Sequence, residues 1–439
     1  MGATIESRGV ERHRGSNYGM SCAAWRVHCI SCGANEPNPM PDYCRRCGSP
    51  VLVDLDYENV RPEEMFEGSI TDLWKYRGLY PLSSDEHGPE LGLGEGGTPL
   101  VRASRAGRKF GVERLWFKCE HLNPSGSFKD RSAAVGVAWA RERGCRGVIC
   151  ASSGNAAGAA ATYAARAGLP AYLVVSSRAP ASKLTGSLAH GARAFRVAGD
   201  FSRAFAAARE AAARVGLANL TTTYVSCYAC EGNKSVAYEL YEQMDRVPDW
   251  VVVPVGAGPL LYGVWKGFEE LRKFGLVDRK PKLMAVQPEG CSPIARAFEA
   301  GTEVEPWPGV DTVVSGLDDP LQGYERDGTL TLETVRESGG VALAVPDGDT
   351  LEAGELLARD EGVFVEPAAA ISVAGASLAR RQGHVQESEA VVCLLTGHGL
   401  KYQAPKDEVE PEDVADGAQL IGTIERDVGR HGHIGGTTY

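Results

Sequence analysis

No run of about 18 apolar residues interrupts this 439-residue chain, so no helical membrane span is expected. The stretch from Met1 to Gly19 has no apolar segment of the secretory kind, and no signal peptide is read there. Positive charge is in deficit: 46 Lys and Arg stand against 57 Asp and Glu, a net charge of −11. That balance argues against nucleic acid or an anionic membrane as the main partner. Together these absences point to the cytoplasm. No internal repeat is evident. The remaining composition, 43% hydrophobic and 23% charged, is that of a soluble globular protein, and the length allows two or three domains.

Cysteine, by contrast, is plentiful at 12 residues. Cys29-Ile30-Ser31-Cys32 and Cys44-Arg45-Arg46-Cys47 form two C-x-x-C knuckles, each followed by a glycine, Gly33 and Gly48. The glycine relieves the tight turn that lets two thiolates face one ion. Four thiolates in this format suit a closed, tetrahedral, structural Zn²⁺. A pair of disulfides is the alternative, and a reducing compartment disfavours it. Cys227 and Cys230 are a third C-x-x-C with no second pair nearby, and read as free buried thiols.

The chain divides into a mobile tail over 1–22, a zinc ribbon over 23–57, a body over 58–402 and a C-terminal tail over 403–439, acidic from Pro405 to Asp416. A linker with an amphipathic piece near Ile70 to Tyr76 leads into the body. The body alternates short apolar runs (Val148–Cys150, Ala171–Val175, Ala194–Val197, Trp250–Val255, Leu283–Val286, Val391–Leu395) with helix-like runs such as Ala156–Ala167, Phe201–Val215 and Leu261–Phe274. Continuous apolar strands alternating with helices predict an α/β class with parallel, doubly wound sheets. Ligands in such folds sit at the carboxyl ends of the strands.

Four turns fall at such ends. Asn123-Pro124-Ser125-Gly126-Ser127-Phe128-Lys129-Asp130-Arg131 follows the strand-like Leu115–Lys118 and opens a helix over Ser132–Glu142. A helix N-terminus carries a positive dipole, which should disfavour the ammonium form of Lys129 and leave a nucleophilic amine. An ordinary capping turn with a solvated lysine is the alternative. Ala151-Ser152-Ser153-Gly154-Asn155 opens the Ala-rich helix and offers hydroxyls and N–H groups to an anion, or a plain N-cap. Gly256-Ala257-Gly258-Pro259-Leu260 is a strand-to-helix turn able to cradle phosphate, with a dinucleotide site as rival. Leu395-Thr396-Gly397-His398-Gly399-Leu400-Lys401 is the fourth, with His398 read as structural.

These turns, with Leu91-Gly92-Leu93-Gly94-Glu95-Gly96-Gly97-Thr98-Pro99-Leu100 upstream and Gln287-Pro288-Glu289-Gly290 between, closely resemble the threonine-synthase-like family of fold-type-II pyridoxal-phosphate enzymes. The resemblance runs over about residues 25–402 and includes the ribbon. It implies two doubly wound α/β subdomains behind a small zinc ribbon, a pyridoxal-phosphate cofactor, an amino-acid substrate and a homodimer. By resemblance, Lys129 is the cofactor-linked lysine and moves the proton at the substrate Cα. Asn155 bonds the cofactor's ring hydroxyl, and Ser152, Ser153, Gly154 and Asn155 hold the substrate carboxylate. Gly256, Ala257, Gly258, Pro259 and Leu260 hold the cofactor phosphate, and Thr396 faces the ring nitrogen.

Two departures bear on substrate. Ser226-Cys227-Tyr228-Ala229-Cys230-Glu231-Gly232-Asn233-Lys234-Ser235 keeps the family's Glu-Gly-x-Lys frame, but Ala229 stands where threonine synthases place an Arg that grips substrate phosphate. Ala156 stands where they place a Thr. Losing a bidentate Arg contact is costly; Lys183 or Arg178 could compensate, but a solvated helix face is the plainer role for either. The expectation is therefore an elimination–replacement enzyme at Cβ or Cγ of an activated amino acid, of the cysteate-synthase kind. Threonine synthase itself is the alternative. A retired, non-catalytic zinc-ribbon binding protein is a third reading.

Overall fold

The structure is a computed structural model that describes residues 24–36, 42–58, 60–83, 87–177, 179, 181–199 and 201–402. The expected tails over 1–22 and 403–439, and Arg178, lie outside the described residues.

The cysteine-rich segment is a two-stranded antiparallel ribbon. Strand β1 (Ala24–Cys29) pairs with β2 (Val51–Asp56), with Cys29 opposite Val51 and Ala24 opposite Asp56. Its buried side chains, Val27, Val51, Val53 and Leu55, join the main core. The amphipathic piece of the linker is a 3₁₀ helix, Leu73–Leu79, started by the Asp72 side chain accepting from the Trp74 N–H.

The body's strands follow in chain order: β3 (Leu100–Arg102), β4 (Leu115–Lys118), β5 (Val148–Ala151), β6 (Ala171–Ser176), β7 (Arg193–Val197), β8 (Ala218–Asn219), β9 (Trp250–Pro254), β10 (Lys282–Pro288), β11 (Val341–Val345) and β12 (Val391–Leu394). They form two sheets, one ordered β11-β10-β9-β12-β4-β3 and the other β7-β6-β5-β8. All neighbours run parallel except β3, which closes the edge of the larger sheet antiparallel to β4. Strands β9 and β12 are buried at every residue, the pattern of a central strand covered on both faces. The sequence reading did not anticipate β3, β8 or β11. The first two are two or three residues long, too short for a periodic signal.

Seven helices matter to the site: α1 (Lys129–Glu142), α2 (Asn155–Ala167), α3 (Phe201–Val215), α4 (Ser235–Gln243), α5 (Pro259–Lys273), α6 (Glu325–Glu337) and α7 (Pro367–Arg381). Helix α1 begins at Lys129, three residues before the expected Ser132. The small residues of α2, among them Ala157, Ala159, Ala160 and Ala161, are buried and allow close packing against its neighbours. Gly232 packs directly on the start of α1: a Cβ there would lie 2.0 Å from the Arg131 carbonyl oxygen.

Candidate active site

The four turns singled out above leave the carboxyl ends of β4, β5, β9 and β12. Two of them are tied together directly, and a further segment joins them. Ser127 pairs with Gly397, Phe128 N–H donates to Thr396 O at 3.0 Å, and Val365 pairs with His398. A segment absent from the sequence reading, Val365–Glu366, is thereby drawn into the site, with Glu366 N–H donating to Gly397 O at 3.1 Å.

Lys129 is the first residue of α1, and its amine lies 4.4 Å from the centre of the Phe128 ring. Burial of the amine lowers its pKa to about 8, against the pull of the Asp319 and Glu366 carboxylates, which favour the charged form. The expected direction is found, but desolvation is the cause, where the sequence reading invoked the helix dipole. Beside Lys129 lies a small cavity whose lining includes Ser132, Ala156, Leu220, Thr222 and Ala229. Both alanines that mark the departures from the family pattern therefore line the cavity beside Lys129.

Asn155 donates its amide to Glu366 Oε1 at 2.7 Å. Burial raises the pKa of Glu366, while Lys401, Lys129 and Lys183 act to lower it. A Cβ at Gly397 would fall 2.1 Å from Glu366 Oε1 and 3.0 Å from Asn155 Nδ2, so only glycine fits between these groups. Thr396 is buried with its hydroxyl donating to Ala368 O at 3.2 Å. Ser152, Ser153 and Gly154 lead into α2, partly or fully exposed, and the Ser152 hydroxyl accepts from the Gly154 N–H at 3.1 Å.

The Gly256–Leu260 turn leaves β9 and becomes α5, with Pro259 in the first helical turn, where its missing N–H costs nothing. Gly258 has φ +109°, and a Cβ there would lie 2.1 Å from the Thr331 hydroxyl. Asp319, also close to Lys129 electrostatically, lies 3.3 Å from where a Gly256 Cβ would stand. The turn and the lysine thus share a neighbour. Glycines at 256, 258 and 397, first-turn N–H groups and a buried amine are a donor set that fits a phosphorylated aldehyde cofactor.

Beneath the lysine turn lies a fully buried ionic network. Arg131 donates to Glu120 at 2.6 and 2.7 Å and to Glu239 at 2.5 and 2.8 Å, and Lys118 donates to Glu239 at 2.5 Å. Thr98, from the glycine-rich stretch upstream, adds a hydroxyl to Glu120 at 2.7 Å, and Asn123 accepts from Gly96 N–H at 2.9 Å. The Glu-Gly-x-Lys frame is also structural. Lys234 donates to Glu231 at 2.8 Å and Glu270 at 3.0 Å, and Lys266 joins Glu231 at 2.5 Å and the ribbon's Val53 carbonyl at 2.6 Å.

In the ribbon, Cys29 and Cys47 sulfurs are 3.4 Å apart, Cys32 and Cys44 sulfurs 3.7 Å, and all four lie within 4.8 Å of one another. Tetrahedral Zn–S bonds of about 2.3 Å require sulfur separations of roughly 3.8 Å. Gly33 and Gly48 have φ +66° and +72°, as the knuckle turns demand. All described cysteines are free thiols. Cys227 and Cys230 are buried in a single helical turn, and Cys230 donates to Thr223 O at 3.7 Å.

Residues 91–397 match the family described as pyridoxal-phosphate dependent enzymes. The chain belongs to this family. It is similar to the threonine synthase of Methanosarcina acetivorans, 36% identical over 86% of this chain and 92% of that one, and to that of Methanocaldococcus jannaschii, 34% identical over 85% and 92%. Among solved structures it is similar to the threonine deaminase of T.th., with TM-score 0.59, 25% identity and coverage of 72% of this chain and 94% of that one. Maize serine racemase shares the fold, with TM-score 0.60 and 24% identity over 76% of this chain and 94% of that one. The protein is a fold-type-II enzyme of elimination and replacement chemistry on an amino-acid substrate. The retired-binder reading is set aside, and the relatives favour threonine synthase over the replacement enzyme expected from Ala229 and Ala156. No described helix is long and apolar enough to cross a membrane.

Proposed function

We propose that the chain is a threonine synthase, converting O-phosphohomoserine and water into threonine and phosphate. The observation that carries this reading is its similarity to threonine synthases over nearly their whole length. The site supplies cations other than the missing arginine. Lys183 and Lys401 both act electrostatically on Glu366, Lys183 donates to Ser315 at 3.1 Å, and Lys401 donates to Ser125 O at 2.9 Å. They are the groups available to a substrate phosphate.

Pyridoxal phosphate, when bound, supplies an electron sink for the carbanion at the substrate Cα. Lys129 would be linked to it and, once released, take the Cα proton with an amine that burial keeps close to neutrality. Ser152 to Asn155 would orient the substrate carboxylate through hydroxyls and helix-start N–H groups. Gly256 to Leu260 would hold the cofactor phosphate, and Thr396 would offer a neutral hydroxyl to the ring nitrogen. Asn155, its amide steered by Glu366, would reach the ring hydroxyl. Cys29, Cys32, Cys44 and Cys47 would hold one structural zinc, which metal analysis should find at about one per chain because four thiolates close the shell. We read the molecule as a cytoplasmic homodimer. The side chain of Leu400, 82% exposed, with exposed Phe364 beside the same turn, offers an apolar surface for a second copy.

The second reading, replacement at Cβ of O-phosphoserine, is favoured by one observation, that Ala156 and Ala229 both line the cavity. The cofactor-loaded protein, offered each phosphorylated amino acid in turn, decides between them. Threonine from O-phosphohomoserine supports the proposal, and phosphate release from O-phosphoserine alone overturns it. Lys129→Ala should remove the cofactor's visible band and the turnover together.

A further inference from the structure

Helix α6 touches the ribbon with its first turn and the cofactor turn with its second. On the ribbon side, Arg326 donates to the Cys47 carbonyl and the Ser49 hydroxyl. The next residue, Asp327, is buried and accepts from the Tyr43 hydroxyl at 3.3 Å, Tyr43 being the neighbour of Cys44. The same Asp327 oxygen accepts from Tyr224 N–H at 2.9 Å. Four residues on, and so on the same helix face, Thr331 donates its hydroxyl to Ala257 O at 2.6 Å. A threonine has one hydroxyl proton, so the 3.0 Å contact between Thr331 and Tyr224 hydroxyls is donated by Tyr224. The Thr331 hydroxyl also fills the space a Gly258 side chain would need.

We propose that Thr331, Asp327 and Tyr43 are positioning residues for the cofactor-phosphate turn, which makes the cysteine ribbon part of the cofactor site. The reasoning rests on the reading of Gly256–Leu260 as the phosphate turn. A trans peptide is planar, with C=O and N–H pointing opposite ways. Holding the Ala257 carbonyl against Thr331 therefore turns the Gly258 N–H away from α6, leaving it for an anion on the other side. Arg326 and Asp327 fix α6 to the ribbon, so the position of Thr331 depends on where the ribbon sits. Tyr43 is tied to the second knuckle through its neighbour Cys44, so an ion that orders the four thiols also orders this grip.

The test uses the full chain, freed of cofactor and titrated with pyridoxal phosphate and with pyridoxal, which lacks the phosphate. Thr331→Val should weaken pyridoxal phosphate about fivefold, the size of one neutral hydrogen bond, and leave pyridoxal unchanged. Tyr43→Phe should do the same to a smaller extent, with its metal content intact. Equal loss for both ligands would mark a general structural defect and overturn the proposal, as would unchanged binding in both variants. Gly258→Ala separates the two layers. If it leaves pyridoxal phosphate affinity intact, the phosphate-turn reading fails. If it weakens that affinity while Thr331→Val and Tyr43→Phe do not, the turn stands and the positioning role falls.

Discussion

The segments Glu120–Arg131 and Thr222–Ala229 both reach the neighbourhood of Lys129, yet they are fixed in different ways. The first is held by buried charge: Arg131 between Glu120 and Glu239, with Lys118 on the far side of Glu239. The second is held by shape. Tyr228 stacks on Trp139 at 4.1 Å and meets the ribbon's Trp25 edge-on at 5.5 Å, and Ala229 lies against the space above Gly136. Bonds to a guanidinium are directional, so the first segment fixes the orientation of the lysine turn. Packing fixes only volume, so the second sets how much room the substrate has.

The comparison breaks most readily at Arg131. Arg131→Met leaves two carboxylates buried without their partner and should cost about 3–5 kcal/mol in denaturant unfolding. A loss of under about 1 kcal/mol, the range of exposed pairs, would show that charge does not hold this segment. The same network predicts the acid limb. Arg131, with Lys118, outweighs the burial of Glu239 and holds its pKa down to about 2. A depressed carboxylate contributes stability that is complete above its unfolded pKa, near 4.5, and lost as pH falls towards 2. Arg131→Met should flatten that limb.

A smaller effect is expected at the shaped wall. Ala229→Leu overfills the small cavity that Ala229 lines and should cost roughly 1–3 kcal/mol. It should raise KM for O-phosphohomoserine more than for the shorter O-phosphoserine. Equal effects on both would mean that Ala229 does not gauge substrate length. The smallest effect separates the lysine from both walls. With its pKa lowered to about 8 by burial, capture of cofactor by the stripped protein should quicken about tenfold from pH 7 to pH 9 and then level off. A rate still climbing past pH 10 would mean the amine is solvated.

The turns that build the candidate site were legible where they are contiguous. The lysine turn, the Ser152–Asn155 turn and the cysteine knuckles each announce themselves within ten residues, because each is a backbone shape as much as a side-chain set. Glu366 was not legible. It reaches Asn155 only because Val365 pairs with His398, a contact that no local pattern encodes. Its one local sign is the Pro367 that opens α7 directly after it. Thr331 was hidden for the same reason, its partner Ala257 being 74 positions away. The role of the Glu-Gly-x-Lys frame was not legible either, since Lys234 is buried between Glu231 and the distant Glu270.

Gly232 gives the two segments different prospects over evolutionary time. With the Arg131 carbonyl 2.0 Å from where its side chain would begin, no other residue is admissible there without parting the helices. Drift at that point is opposed by the backbone contact itself. Ala156 and Ala229 line the small cavity beside Lys129 instead, where a changed side chain alters the room left for a substrate. New substrate preferences can thus arise by mutation at the wall while the reactive end of the site is conserved by geometry alone.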